Sequence, residues 1–146
     1  MYFMFMKNKK GMVTDMEQRK LDEVRERFSH DRFATVNGAV IEEIAEGYAR
    51  CSMQIGDDHK NALGAVMGGA IFTLADFAFA VATNWQETPV VSLEASITFL
   101  GKAKGNTLVA EAKKIRAGRR TCCYSVEITD ELGSQIAHMT SNGFVI

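Results

Sequence analysis

Between Lys60 and Glu87 the chain carries one charged residue, Asp76. It sits inside Val66-Met67-Gly68-Gly69-Ala70-Ile71-Phe72-Thr73-Leu74-Ala75-Asp76-Phe77-Ala78-Phe79-Ala80-Val81-Ala82-Thr83-Asn84, where only Thr73, Asp76 and Thr83 are polar from Ala70 to Thr83. A helix that is apolar on every face has to be covered on most sides. The run therefore predicts a central helix over Gly69–Asn84, with the rest of the chain as its cover. An unpaired carboxylate is expensive to bury, which makes Asp76 the first candidate for a functional group. The plainer alternative is an aspartate at a helix edge that reaches water.

The same run approaches the length of a bilayer span. Two glycines open it, and an aspartate near its middle costs about 2.5–3.5 kcal/mol on insertion. No basic cluster flanks it and no second apolar run follows, so a membrane helix is rejected.

The segments on either side of the run have the pattern of a single antiparallel sheet. Thr14-Asp15-Met16-Glu17 has the spacing of a capping box, and Leu21, Val24 and Phe28 recur at helical intervals, predicting a surface helix to about His30. Ala39–Ala45 and Tyr48–Ile55 flank Glu46-Gly47 as a hairpin. After a loop over Gly56–Gly64 comes the apolar helix. Pro89 then opens a strand to about Leu100, with Val91, Leu93, Ala95, Ile97 and Phe99 on one face. Strands at Thr107–Ile115, Arg120–Thr129 and Gln135–Ile146 are separated by turns at Ala117–Arg119 and Asp130–Gly133 and read as a meander. The order predicts an α+β domain in which one long, twisted antiparallel sheet wraps the helix. One face of that helix, or the sheet edge, still needs closing, which argues for a dimer.

At 146 residues the chain has room for one domain, assigned to 14–146. The start, Met1-Tyr2-Phe3-Met4-Phe5-Met6, precedes its lysines, the reverse of a signal peptide, so residues 1–13 are read as a disordered leader or an expression remnant. A net charge of -1 offers no footprint for nucleic acid. Cys51, Cys122 and Cys123 make no disulfide framework and fit reduced thiols in a cytoplasmic protein. No Cys or His spacing suggests a metal site, no cofactor is called for, and Asp57-Asp58-His59 reads as a solvated loop rather than a cation site.

Asn61, Gly64, Met67, Gly68, Gly69 and Asp76 carry a more specific pattern: Asn, a Gly three on, a Gly-Gly pair, and an Asp eight residues after the first Gly of that pair. This spacing resembles the hotdog-fold thioesterases of the phenylacetate-degradation (PaaI) type, and the likeness runs from about Phe33 to Ile146. Met67 stands where that family usually has histidine. Methionine neither donates a hydrogen bond nor carries a proton, so the mechanism here leans on Asp76 and on backbone groups.

The resemblance implies an acyl-CoA thioesterase acting on an acyl- or aryl-CoA thioester. Gly68 and Gly69 open the helix, where backbone N–H groups lack intrahelical partners and the dipole's positive end lies. An N–H there can polarise the thioester carbonyl and then hold the oxyanion. Asp76 lies two turns further on, on the order of 12 Å along the axis, too far to reach the same carbonyl. The resemblance places Asp76 of one subunit opposite Gly68 of another, with two shared sites per homodimer or a dimer of dimers. Asp76 then serves as general base on water or as nucleophile.

Asn61 is implied near the thioester or its water, with a turn role as the alternative. Met67, Gly69 and Ser92 are implied on the substrate, Ser92 as a hydroxyl that places water. Arg119 and Arg120, with Lys102 and Lys104, are the cations available to the CoA phosphates. Two other readings stay open. One is a non-catalytic acyl-CoA binder, a sensor or carrier, suggested by Met67. The other is a hotdog hydratase or dehydratase, which has no matching motif around His30, His59 or His138.

Overall fold

The computed structural model describes residues 14–146, and the leader at 1–13 lies outside the described residues. The elements are α1 (Asp15–Phe28), α2 (Arg32–Val36), β1 (Ala39–Ala45), β2 (Tyr48–Gln54), α3 (Gly68–Asn84), β3 (Val90–Phe99), β4 (Thr107–Ala117), β5 (Thr121–Asp130) and β6 (Gln135–Val145). The capping box that starts α1 forms as its sequence requires. The Glu17 N–H donates to Thr14 Oγ1 and the Thr14 N–H to Glu17 Oε2, at 3.2 and 2.9 Å. The short helix α2 was not anticipated. Arg32–Val36 spans little more than one turn, too few residues for a periodic signal.

Six antiparallel strands form one sheet in the order β1-β2-β4-β5-β6-β3. This corrects the simple meander. β3 pairs with β6, the last strand, and β4 pairs with β2. The β3–β4 connection must therefore cross the ends of β6 and β5, and backbone groups hold it there. The Leu100 N–H donates to the Ile136 carbonyl at 2.8 Å. The Lys104 and Gly105 N–H groups donate to Asp130 Oδ2 at 2.8 and 2.9 Å. Asp130 Oδ1 also accepts the Ser134 N–H at 2.8 Å. Burial pushes the Asp130 carboxyl up, but the Gly105, Lys104 and Ser134 donors outweigh it and hold the group well below the usual carboxylate range.

The helix α3 lies across one face of the sheet, chiefly over β2 and β4. Those strands present small inward residues in register: Ala49 opposite Ala112 and Cys51 opposite Ala110, all fully buried. Small side chains let the helix approach, and its own large ones fill the remaining space. Leu74, Phe77, Phe79 and Val81 are buried, each contributing about 1.5–3 kcal/mol. Phe79 packs edge-on against Tyr124 of β5, and Phe77 against Phe28 of α1. At the far end of α3, the Arg27 guanidinium donates to the carbonyls of Asn84 and Trp85 at 2.9 and 2.8 Å, closing the C-terminus with a cation.

The helix is not covered all round. Gly69, Phe72, Thr73, Asp76, Ala80 and Thr83 form one exposed to half-buried stripe at three- and four-residue intervals. β3 also departs from a single apolar face. A bulge between Ser92 and Glu94 sets two residues against one partner, so the alternation reverses there. Ala95 and Ile97 pack on the core, whereas Val91 and Leu93 are 41% and 63% exposed.

Candidate active site

The start of α3 is built to leave donors free. Met67 is the N-cap, with φ -65 and ψ 139, and its side chain makes no capping hydrogen bond. Ser, Thr, Asp or Asn at that position accepts from the second or third helical N–H; a thioether is a poor substitute. The N–H groups of Gly68 and Gly69, at the first two helical positions, therefore have no intrahelical acceptor and no cap. The next donors are already engaged, Ala70 and Ile71 both donating to the Met67 carbonyl. Gly68 faces the Phe99 ring, and a Cβ on it would stand 3.0 Å from Cζ. Only glycine lets backbone and ring approach this closely.

The loop before α3 is folded around Asn61. Asn61 Oδ1 accepts the N–H groups of Leu63 and Ala65 at 3.0 and 3.1 Å, and Gly64 takes the left-handed φ of 77 that follows. The carboxamide oxygen is thus committed to the turn. Lys60 and Val66 close the loop as an isolated β-bridge.

Two hollows adjoin the open stripe of α3. One, of about 260 Å3, is lined by Met67, Gly69, Thr73, Phe33, Met53 and His59 among others. The second, of about 300 Å3, holds Asp76 with Asp31, Phe72 and Phe77, and it shares Phe33 and Thr73 with the first. The two form one groove along the helix. Asp76 is half-buried in it, and burial, reinforced by the Asp31 carboxylate, raises its pKa above the ordinary value. A carboxylate held basic in a part-apolar groove is suited to take a proton or to attack.

Not every sequence candidate meets this groove within one chain. Gly68 lies by Phe99, at the end of β3. Arg120 lies beyond its start, because the Val145 N–H donates to the Arg120 carbonyl and Val145 pairs with Val90. At about 3.3 Å per residue, the length of β3 separates them by on the order of 30 Å. Arg119 and Arg120 are exposed on the β4–β5 turn, and the Arg120 guanidinium stacks on Phe144 at 5.5 Å. Ser92 sits at the bulge, its Oγ 3.4 Å from Ser141 Oγ. Lys102 instead joins Lys60 around a separate hollow of about 330 Å3 beside the loop and Ile71 of α3.

Sequence reasoning passed over His59, Phe33 and Asp31. His59 is not a solvated loop residue: it is half-buried and both ring nitrogens are bonded. Its Gly56 contact, three residues back, is local enough to have been sought; its contact with Asn37 is not. Phe33 and Asp31 reach α3 only through the turn that brings α2 onto it.

Residues 63–137 match the sequence model of the thioesterase superfamily. A protein of Archaeoglobus fulgidus, provisionally named an esterase, is 38% identical over 75% of this chain and 72% of its own. The acyl-coenzyme A thioesterase PaaI of Escherichia coli is 32% identical over 75% of this chain and 79% of its own. The structure of that E. coli protein superposes with a TM-score of 0.75 over 86% of this chain and 96% of its own. A hypothetical thioesterase of Streptococcus pneumoniae, solved with coenzyme A, superposes at 0.76, with 25% identity over 83% of this chain and 95% of its own. The α+β architecture with α3 against a six-stranded antiparallel sheet is the hotdog fold of these structures, and the chain belongs to the thioesterase superfamily.

Proposed function

We propose that the chain hydrolyses acyl-CoA thioesters, as a two-fold dimer whose two sites each draw on both subunits. The observation that carries this reading is the uncapped Gly68-Gly69 start of the helix whose open stripe carries Gly69 and the half-buried Asp76, a carboxyl with a raised pKa. The thioester carbonyl oxygen accepts from the Gly68 and Gly69 N–H groups, and the negative charge that develops on it is held there. Asp76 from the second subunit attacks the carbonyl carbon or deprotonates the attacking water. Collapse of the tetrahedral intermediate expels the CoA thiolate, which takes up a proton. The water route leaves the acid directly, whereas direct attack leaves an acyl anhydride on Asp76 that a water hydrolyses to the acid and the free carboxylate.

The exposed surface supports the dimer. β3 is an edge strand with unpaired backbone groups, and Val91, Leu93, Phe99 and Leu100 are exposed along and beyond it. An edge of this kind invites pairing with a second strand. Antiparallel pairing of two β3 strands brings the Arg119–Arg120 turn of one subunit toward the Phe99 end of the other. That end carries Gly68 and the Lys60–Lys102 hollow, so cations for the CoA phosphates come from both chains. Two such dimers can associate further into a tetramer. Among the described residues no helix is long and apolar enough to cross a membrane. The three free cysteines suit a reducing, cytoplasmic setting.

The test is thiol release from aryl-, short-chain and long-chain acyl-CoAs, with the Asp76→Asn variant in parallel. Turnover of at least one class, lost in the variant, supports the reading. Tight binding of a thioether analogue with no turnover of any thioester would leave a non-catalytic acyl-CoA binder instead.

A further inference from the structure

Three hydrogen bonds converge on His59, a residue with no part in the chemistry above. Its Nδ1 accepts the Gly56 N–H at 2.9 Å, and its Nε2 lies 2.6 Å from the Asn37 carbonyl oxygen. A backbone N–H only donates and a carbonyl only accepts, so the ring is neutral with its proton on Nε2. The His59 carbonyl, in turn, accepts the Met67 N–H at 2.7 Å.

These partners belong to three separate parts of the fold. Gly56 follows β2, Asn37 ends α2, and Met67 is the N-cap of α3. His59 therefore sits at the neck of the loop that carries Asn61, where that loop returns to the helix. The ring is anchored on both nitrogens, and the peptide it anchors holds Met67. Met67 immediately precedes the two free N–H groups, and its side chain cannot fix them, because it makes no cap. His59 also lines the 260 Å3 hollow with Met67 and Gly69, and Asp58 is the charged side chain sharing it.

We propose that His59 is a positioning residue for thioester hydrolysis: its neutral imidazole locks the N-cap of α3 so that the Gly68 and Gly69 N–H groups are aimed before the substrate arrives. The proposal rests on reading those N–H groups as the oxyanion donors. Donors held in advance need no reorganisation as charge develops, and a displacement of about 1 Å costs on the order of a hundredfold in rate.

The test uses three variants of the full chain. His59→Ala removes both ring contacts. His59→Asn keeps an acceptor for the Gly56 N–H, and His59→Gln keeps a donor for the Asn37 carbonyl. In His59→Ala, kcat falls about tenfold or more, while the Kd of a thioether analogue of the best acyl-CoA substrate stays within about threefold, because the loss lies in the transition state. The Asn and Gln variants fall between Ala and the parent. Parental kcat in a His59→Ala protein whose only defect is a lower Tm overturns the proposal. So does an equal loss of kcat and analogue affinity. If the Ala variant does not fold, Asn and Gln variants with parental kcat overturn it. A measurement independent of turnover is the amide NMR spectrum: the Gly68 and Gly69 N–H signals shift and exchange faster in the variants. Unmoved Gly68 and Gly69 signals overturn the proposal even if no thioester is hydrolysed, whereas absence of hydrolysis in the parent counts against the proposed function alone.

Discussion

Replacing Gly68 by alanine should separate rate from stability. A Cβ there stands 3.0 Å from Phe99 Cζ, with Cε1 and Cε2 at 3.4 and 3.5 Å. The ring or the helix start must yield by a few tenths of an ångström. Overpacking of this kind costs about 1–3 kcal/mol. Alanine regains about 1 kcal/mol over glycine in helical backbone. The net change in stability is therefore about 0–2 kcal/mol, and the fold survives. The moving peptide, however, carries the oxyanion donor. A shift of half the 1 Å that costs on the order of a hundredfold should lower kcat about tenfold, or about 1.4 kcal/mol. Phe99→Leu is the internal control, because it removes the ring edge that the new Cβ meets, and added to Gly68→Ala it should return kcat toward the parent. Steady-state kinetics with thiol detection and thermal denaturation of the single and double variants make the comparison. Parental kcat in Gly68→Ala, or a double variant no faster than Gly68→Ala, would refute the argument from the Phe99 contact.

Other outcomes follow from the site and from the connection that frames it. Asp76→Asn should cut kcat about 10²-fold or more, and the parent's activity should fall as pH drops through the raised Asp76 value, which a pH–rate profile reads directly. Because that folded-state pKa is raised, the stability linked to protonated Asp76 is lost as pH rises through it. Asp76→Asn should thus be more stable than the parent at neutral pH, an advantage that disappears below about pH 4 in denaturant titrations. Met67→His should keep the fold and raise kcat/KM or leave it unchanged; a loss beyond about tenfold would give methionine a positive role. Asp130→Asn turns an acceptor toward the Lys104 and Gly105 N–H groups into a donor and should lower Tm at neutral pH. The Asp130 value is depressed, so this gap should narrow as pH falls below about 4.

The strands were legible where glycine and charged turns punctuate alternation. β1, β2 and β4 begin where their patterns begin, since Gly47 and Asn106 leave no choice. Two things were not legible. Which strands lie side by side does not show in the local patterns: Asp130 has the sequence context of an ordinary turn residue, and only in the fold does it capture a connection from twenty-five residues away. The bulge in β3 has no sequence marker either, since Ser92-Leu93-Glu94 continues the alternation that the backbone breaks. At the site, the Gly-Gly pair and Asp76 announce themselves because a charge in an apolar run needs a reason. His59 does not, because one of its two ring contacts spans twenty-two residues and its neighbours are charged and exposed.

The central claim is that each site joins Gly68 of one subunit to Asp76 of the other. Mixing subunits tests it most directly. Gly68→Val and Asp76→Asn chains, each nearly inactive as a pure dimer, are co-expressed with different tags, and the doubly tagged species is isolated. In a mixed dimer with shared sites, one site carries both defects and the other carries neither, so about half the parental kcat per dimer returns. If Gly68 and Asp76 act within one chain, every site in the mixed dimer keeps a defect, and activity no higher than that of the two pure variants would contradict the account.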